Sequence, residues 1–141
     1  MDETDLAILR ILQEDASLPF TEIARQLKMS ESTIRKRVER LKREGVIKKF
    51  TVVVDPQKIG FNAIAIVGID ADPSKILDVA KKLCELPEAR YVATSTGDHM
   101  IIAEVWAKNT MDLLRTINEK IGVIDGVKKV CPAIILEKLK E

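Results

Sequence analysis

The chain has 141 residues, 46% of them hydrophobic and 32% charged, with a formal net charge of +1. That length allows one ordinary domain or two small ones, and the composition is that of a globular protein rather than a disordered or fibrous one. No apolar run reaches the roughly 18 residues of a spanning helix, and the acidic start MDETDLAILR lacks the basic opening of a secretory signal, so a cytoplasmic protein is expected.

The stretch from about Thr4 to Asp15 reads as a strongly apolar helix through Leu6, Ile8, Leu9, Ile11 and Leu12, and Pro19 separates it from the next element. FTEIARQL is a second, short helix with Ile23, Ala24 and Leu27 inward, and Lys28-Met29 is a tight turn. From Ser30 to Gly45 a third helix is predicted, because Ile34, Val38 and Leu41 recur at i, i+4 and i+7, the spacing of one buried stripe. Ser30 can cap its start, Glu31 suits the positive end of the helix dipole, and Gly45 can stop it. Between Lys28 and Lys49 nine basic residues face three acidic ones, a local balance of +6. Such a concentration fits either a solvated charged helix or a surface for a polyanion. Helices this short do not stand alone in water, so the three must pack together. Two short helices joined by a turn of about three residues, the second basic, match a helix-turn-helix whose second helix enters the DNA major groove. The alternating, β-branched VIKKFTVVVD, ended by Asp55-Pro56, reads as an extended wing or linking strand.

The spacing assigns roles within the basic helix. At about 100° per residue, Ser32, Thr33, Lys36, Arg37 and Arg40 are read as the face opposite the buried stripe. The early residues, Ser32, Thr33, Lys36 and Arg37, are candidates for base edges. Arg40, Lys42, Arg43, Lys48 and Lys49 are better placed for phosphate, and Lys28, Ser30 and Arg35 complete the candidate DNA-contacting set. Glu39 is expected to turn sideways and pair with Arg35 or Arg43.

From Phe61 onward the order is strand, helix, strand, strand, helix, strand. The elements are FNAIAIVGID, a helix opened by Asp72-Pro73-Ser74 with Ile76, Leu77, Ala80 and Leu83 inward, RYVATST, and MIIAEVWAK. A helix capped at Asn109 or Thr110 with Leu113, Leu114, Ile117 and Ile121, then VKKVCPAIILEK, complete the order. This βαββαβ pattern predicts an antiparallel, ferredoxin-like sheet with both helices on one face. The fold class expected is therefore α+β: a three-helix winged helix-turn-helix over residues 1–50, a linking strand or hinge over 51–60, and the βαββαβ domain over 61–141. Ile64 and Ile66 alternate with Ala65 and Val67, so the strand is apolar on the uncovered face too, and pairing with a second copy would cover it.

Catalysis is not expected: there is no phosphate-binding G-x-x-x-x-G-K-[ST] loop and no H-E-x-x-H, and the acids lack a catalytic partner. Cys84 and Cys131 form no C-x-x-C and His99 is the only histidine, so no metal site or cofactor is expected and both thiols read as small core residues. With three Phe, one Tyr and one Trp, the sheet lacks the aromatic cluster of an RNA-binding surface. In the loop TGDH, Gly97 lets the backbone approach a small molecule and Asp98 could receive an ammonium group, although Gly-Asp is also ordinary hairpin chemistry.

The whole pattern resembles the Lrp/AsnC, or feast/famine, family of transcription regulators, and its archaeal members most of all. The resemblance spans essentially all of the chain and rests on DLAILRILQEDASLPFTEIARQL, SESTIRKRVERLKREGVIKKF, TGDHM and GVKKVCPAIILEKLK in that order and spacing. It implies a regulator that binds double-stranded DNA, at its own promoter or at amino-acid metabolism genes, through a winged helix-turn-helix. It also implies dimers that commonly assemble into octamers. Many members bind an amino acid between dimers, which points here to Thr96, Gly97, Asp98 and His99, with Asp125 and Gly126 supplied by a neighbouring subunit. One departure is Lys28, where the family often has glycine; if the turn needs a positive φ, the lysine costs about 1 kcal/mol. A low-specificity DNA-organising protein with no effector is the competing reading, because phosphate contacts supply most non-specific affinity.

Overall fold

The computed structural model describes all 141 residues, and they divide into two compact units, Met1–Val52 and Val53–Glu141. In the first unit, α1 spans Glu3–Glu14, α2 Phe20–Leu27 and α3 Glu31–Arg43. Ile8, Ile23, Ile34 and Val38 are buried between the three helices. Full burial of such a side chain is worth about 1.5–3 kcal/mol, and helices this short need that packing to persist. Each helix start is marked chemically. Asp2 and Asp5 form a reciprocal capping box on α1, Pro19 precedes α2, and the Ser30 hydroxyl accepts the Thr33 N–H of α3 at 3.2 Å.

Residues 46–54 run without a helix or strand ladder, so the expected wing pairs with nothing in a single chain. A strand exists only against a neighbour, and none is available within this unit. A short 3₁₀ turn at Pro56–Ile59, capped by Asp55, then leads into the first strand of the second unit.

The second unit is the βαββαβ arrangement. Its strands are β1, Ala63–Ala71, β2, Ala89–Thr94, β3, Ile101–Ala107, and β4, Val127–Ile134, in the order β2-β3-β1-β4 with every neighbouring pair antiparallel. α4, Ile76–Cys84, and α5, Thr110–Arg115, cover one face. Asn109 caps α5, which continues over Thr116–Ile121 as a π-helical turn. Ala65, Val67, Ile69, Ile101, Ala103 and Val105 point into the core with Val79, Leu83, Leu113 and Ile121. Two helix positions differ from expectation. Val79, not Leu77, completes the inward stripe of α4, leaving Leu77 exposed, and Leu114 turns outward from α5. Cys84 is exposed at the end of α4 and Cys131 is half-buried on the uncovered sheet face, so neither is a core residue. No helix is long and apolar enough to cross a membrane.

The uncovered face is less bare than alternation alone suggests. At one end Trp106 is nearly buried beneath Phe61 and Arg90, whose guanidinium lies 4.4 Å from the indole centre. The Trp106 Nε1–H donates to Glu104, which also holds Lys138, both at 2.7 Å. At the other end the His99 ring packs on Gly68, where a Cβ would sit 2.2 Å from the imidazole.

Candidate nucleic-acid interface

The turn between α2 and α3 places Lys28 in the left-handed region at φ 56° and ψ 47°, and its N–H closes α2 on the Ala24 and Arg25 carbonyls. Ser30, Ser32 and Thr33 form a hydroxyl cluster at the start of α3, with Ser30 Oγ 2.7 Å from Thr33 Oγ1. Ser30 and Thr33 are therefore committed to the cap, while Ser32 stays exposed. Lys36 and Arg43 project from the exposed face of the helix, and Lys48 and Lys49 come after it on the exposed chain. Lys42 rests over the Phe50 ring, 4.3 Å from its centre. Arg35 pairs with Glu31 and lies over Phe20, and the expected pairing of Glu39 with Arg35 or Arg43 is not made.

Arg37 and Arg40 are placed differently from expectation. Arg37 is three residues after Ile34 and four before Leu41, so it borders the buried stripe rather than opposing it. Its Nη1 donates to both carboxylate oxygens of Asp2, at 2.9 and 2.8 Å, and to Asp5 at 3.1 Å. Arg40 donates to the other oxygen of Asp5 at 2.6 Å. Asp5 is fully buried, yet its carboxyl lies below the usual carboxylate range. Burial alone would raise it; the Asp2 N–H, Arg37 and Arg40 outweigh that. Asp2 falls to about 2, chiefly through its bond to Arg37. These two acids are partners of the basic helix that charge patterning over residues 28–49 does not reveal. Their visible signal is the spacing of Asp2 and Asp5 ahead of an apolar run, a capping box.

The second group of candidate residues gathers at one end of the sheet. The loop after β2 exposes Thr96, Gly97 and Asp98, and the Gly97 N–H donates to Ser95 Oγ at 3.1 Å. His99 Nδ1 lies 3.1 Å from Asp70 near the end of β1, which fastens this loop to the sheet. The other loop reaches the same strand end, where the Gly126 carbonyl accepts the Asp72 N–H at 2.8 Å. Gly126 holds φ 98° with the Lys75 stem packed against it, and Asp125 takes the Lys75 ammonium at 2.7 Å. Asp125 and His99 are thus already partnered within the chain, whereas Asp98 presents its carboxylate to solvent.

Comparison with known proteins fits both halves. Residues 1–42 match the AsnC-type helix-turn-helix domain, and residues 64–141 match the Lrp/AsnC ligand binding domain. The chain belongs to the Lrp/AsnC family. It is 51% identical over 140 residues to the HTH-type transcriptional regulator LrpA of Pyrococcus horikoshii, covering 99% of each chain. It is 38% identical over 141 residues to the transcriptional regulator FL11 of Pyrococcus furiosus, covering 100% of this chain and 93% of the other. The structure of Escherichia coli AsnC superposes with a TM-score of 0.85 at 27% identity, covering 100% and 95% of the two chains. The molecule is accordingly a DNA-binding transcriptional regulator of archaeal type, and its relatives are regulators rather than enzymes.

Proposed function

We propose that α3 lies in the major groove with Ser32 and Lys36 toward base edges, and with Lys28, Lys42, Arg43, Lys48 and Lys49 toward phosphate. One observation carries this reading: the exposed side of a capped, packed helix presents cations that no acidic group in the chain neutralises. The protein acts as a dimer or a higher assembly up to an octamer, in the cytoplasm, and carries two such helices to a partly palindromic site in its own promoter. An amino acid held at Thr96, Gly97 and Asp98, with Asp125 and Gly126 of a neighbouring copy, shifts the assembly by binding one arrangement better than another.

A second reading is supported by the kind of cation left exposed. Five of these residues are lysines, Lys28, Lys36, Lys42, Lys48 and Lys49, and lysine is a point charge suited to phosphate. That favours a DNA-organising protein of low specificity. Binding of Lys36→Ala and Lys42→Ala to a duplex from the chain's own promoter and to a random duplex separates the two. For the regulator, Lys36→Ala loses discrimination between the duplexes. Lys42→Ala weakens both evenly and lowers the salt slope by about 1. Equal losses on both duplexes from both variants favour the organising protein, and no loss from either removes α3 from the interface.

A further inference from the structure

We propose that Asp2 and Asp5 are specificity-determining residues of DNA recognition, which hold Arg37 and Arg40 against α1 and so withhold two cations from phosphate. The inference rests on the reading that α3 faces the DNA. The geometry is a closed set of bonds: the Asp2 N–H donates to Asp5 at 3.2 Å and the Asp5 N–H to Asp2 at 2.9 Å. The two guanidinium groups close over this pair from α3. Arg37 is the more sequestered, with its side chain 23% exposed, while Arg40 is 41% exposed.

If both guanidinium groups left for phosphate, they would strand a carboxylate with no exposed surface and no counter-charge, the costliest state for a buried ion, and the loss of either one removes half of its ion pairing. The arrangement therefore resists the field of the DNA. The local balance of +6 counts both arginines, and their pairing with Asp2 and Asp5 leaves four positive charges to act on a polyanion. On unrelated DNA, affinity is almost wholly a count of neutralised phosphates, so each withheld arginine weakens that binding. At a true site α3 is seated by its base contacts, and arginines turned toward α1 are missed less. The same four groups fix the direction of α3 relative to α1, which decides where Ser32 and Lys36 point. Asp2 and Asp5 thus act on recognition without touching DNA.

The sign of the effect separates this role from simple support of the fold. An acid that only stabilises the unit would, when removed, weaken binding to every duplex. An acid that sequesters arginine would, when neutralised, strengthen binding to unrelated DNA. The test uses the full chain carrying Asp5→Asn, and separately Asp2→Asn. Asparagine keeps the N-cap of α1, and Asp2 lies on the exposed half of the cluster, so that variant reports even if the buried Asn is not accepted. Helical content is checked by circular dichroism, and affinity for a random duplex and for the chain's own promoter is measured across a salt series. The expected result is severalfold tighter binding to the random duplex. Its salt slope steepens by about 1 for each freed arginine in each engaged domain, and the discrimination ratio falls. A slope that is unchanged or shallower in folded protein overturns the proposal. Lys42→Ala, the phosphate-side variant, in the same series tells two failures apart. A slope lowered by Lys42→Ala but unmoved by both Asn variants overturns this inference alone. A slope unmoved in all three removes α3 from the interface, and the inference with it.

Discussion

Lys28 is the only residue outside glycine with a positive φ, and it sits where α2 turns into α3. The left-handed region costs a residue with a Cβ about 1 kcal/mol or more, which glycine does not incur. A strained lysine at a turn that presents the basic helix has a ready explanation in its charge, since the same turn brings it beside the start of α3. Two substitutions separate strain from charge. Lys28→Gly should raise the stability of the helical unit by up to about 1 kcal/mol, a few degrees in melting temperature, and lower the DNA salt slope by about 1. Lys28→Ala should lower the slope equally with no gain in stability, because the strain remains. If Lys28→Gly shifts neither the melting curve nor the slope, the lysine has no phosphate role and the turn carries no strain worth relieving.

At the scale of elements, α1 and α3 are joined by a buried carboxylate and two guanidinium groups, and this makes the helical unit sensitive to acid. The Asp2 carboxyl falls from its ordinary 3.8 to about 2, through its bond to Arg37 first, and Asp5 is lowered as well. Groups held below their unfolded values add stability that is whole above the unfolded pKa and lost as pH falls toward the folded one. Helical content should therefore decline between about pH 4 and pH 2, and Asp2→Asn should flatten that decline. An acid limb of the same steepness in Asp2→Asn would remove Asp2 from the cause. These elements also show what periodicity can and cannot reveal. Phe20–Leu27 falls on the predicted residues because Pro19 and the Ile23, Ala24, Leu27 pattern mark both ends and the inner face. Ser30 caps as predicted, and of the two residues offered for α5, Asn109 and Thr110, Asn109 is the cap, since capping is local chemistry. Periodicity misplaces the phase of α4 because Leu77 and Val79 are both apolar, and composition does not phase a helix when several registers bury similar residues. Spacing to Ile34 and Leu41 already sets Arg37 beside the buried stripe rather than opposite it; what no local spacing records is its partner, Asp2, 35 residues away. Residues 46–54 alternate like a strand, but a strand also needs a ladder that a single chain does not supply.

At the scale of the whole molecule, the uncovered sheet face no longer carries the case for assembly by itself. The chain closes one end of it with Phe61, Arg90 and Trp106 and the other with His99 on Gly68. Exposed apolar side chains include Val52 and Val53 on one segment and Leu136 and Leu139 on the C-terminal tail, beside Tyr91 and Ile134 on the edge strands. Within the second unit, Val53–Gln57, Ile64 and residues 135–138 line an open cleft of about 550 Å³. Apolar side chains on backbone with unpaired amide groups are the usual mark of an edge awaiting a partner strand, and a second copy supplies one. If an amino acid binds at these loops as proposed, Asp98 is the exposed group that meets it, because His99 and Asp125 are already held by Asp70 and Lys75. The incoming ligand then needs to recruit one free carboxylate and the amide groups around Gly97, not to break the ties that position the loops. Melting curves and light scattering, run together against each of the twenty amino acids, test both halves of this picture. The expected mass is at least a dimer, and one amino acid or a small group should raise the melting temperature. Ligand at 100 times its dissociation constant would add about 2.7 kcal/mol to the native state. Asp98→Ala should abolish that shift and leave the ligand-free melting curve in place, since the side chain is exposed and unpaired. A stable monomer would overturn the assembly argument, and no shift with any amino acid would leave the loop at Thr96–His99 as a turn without a ligand.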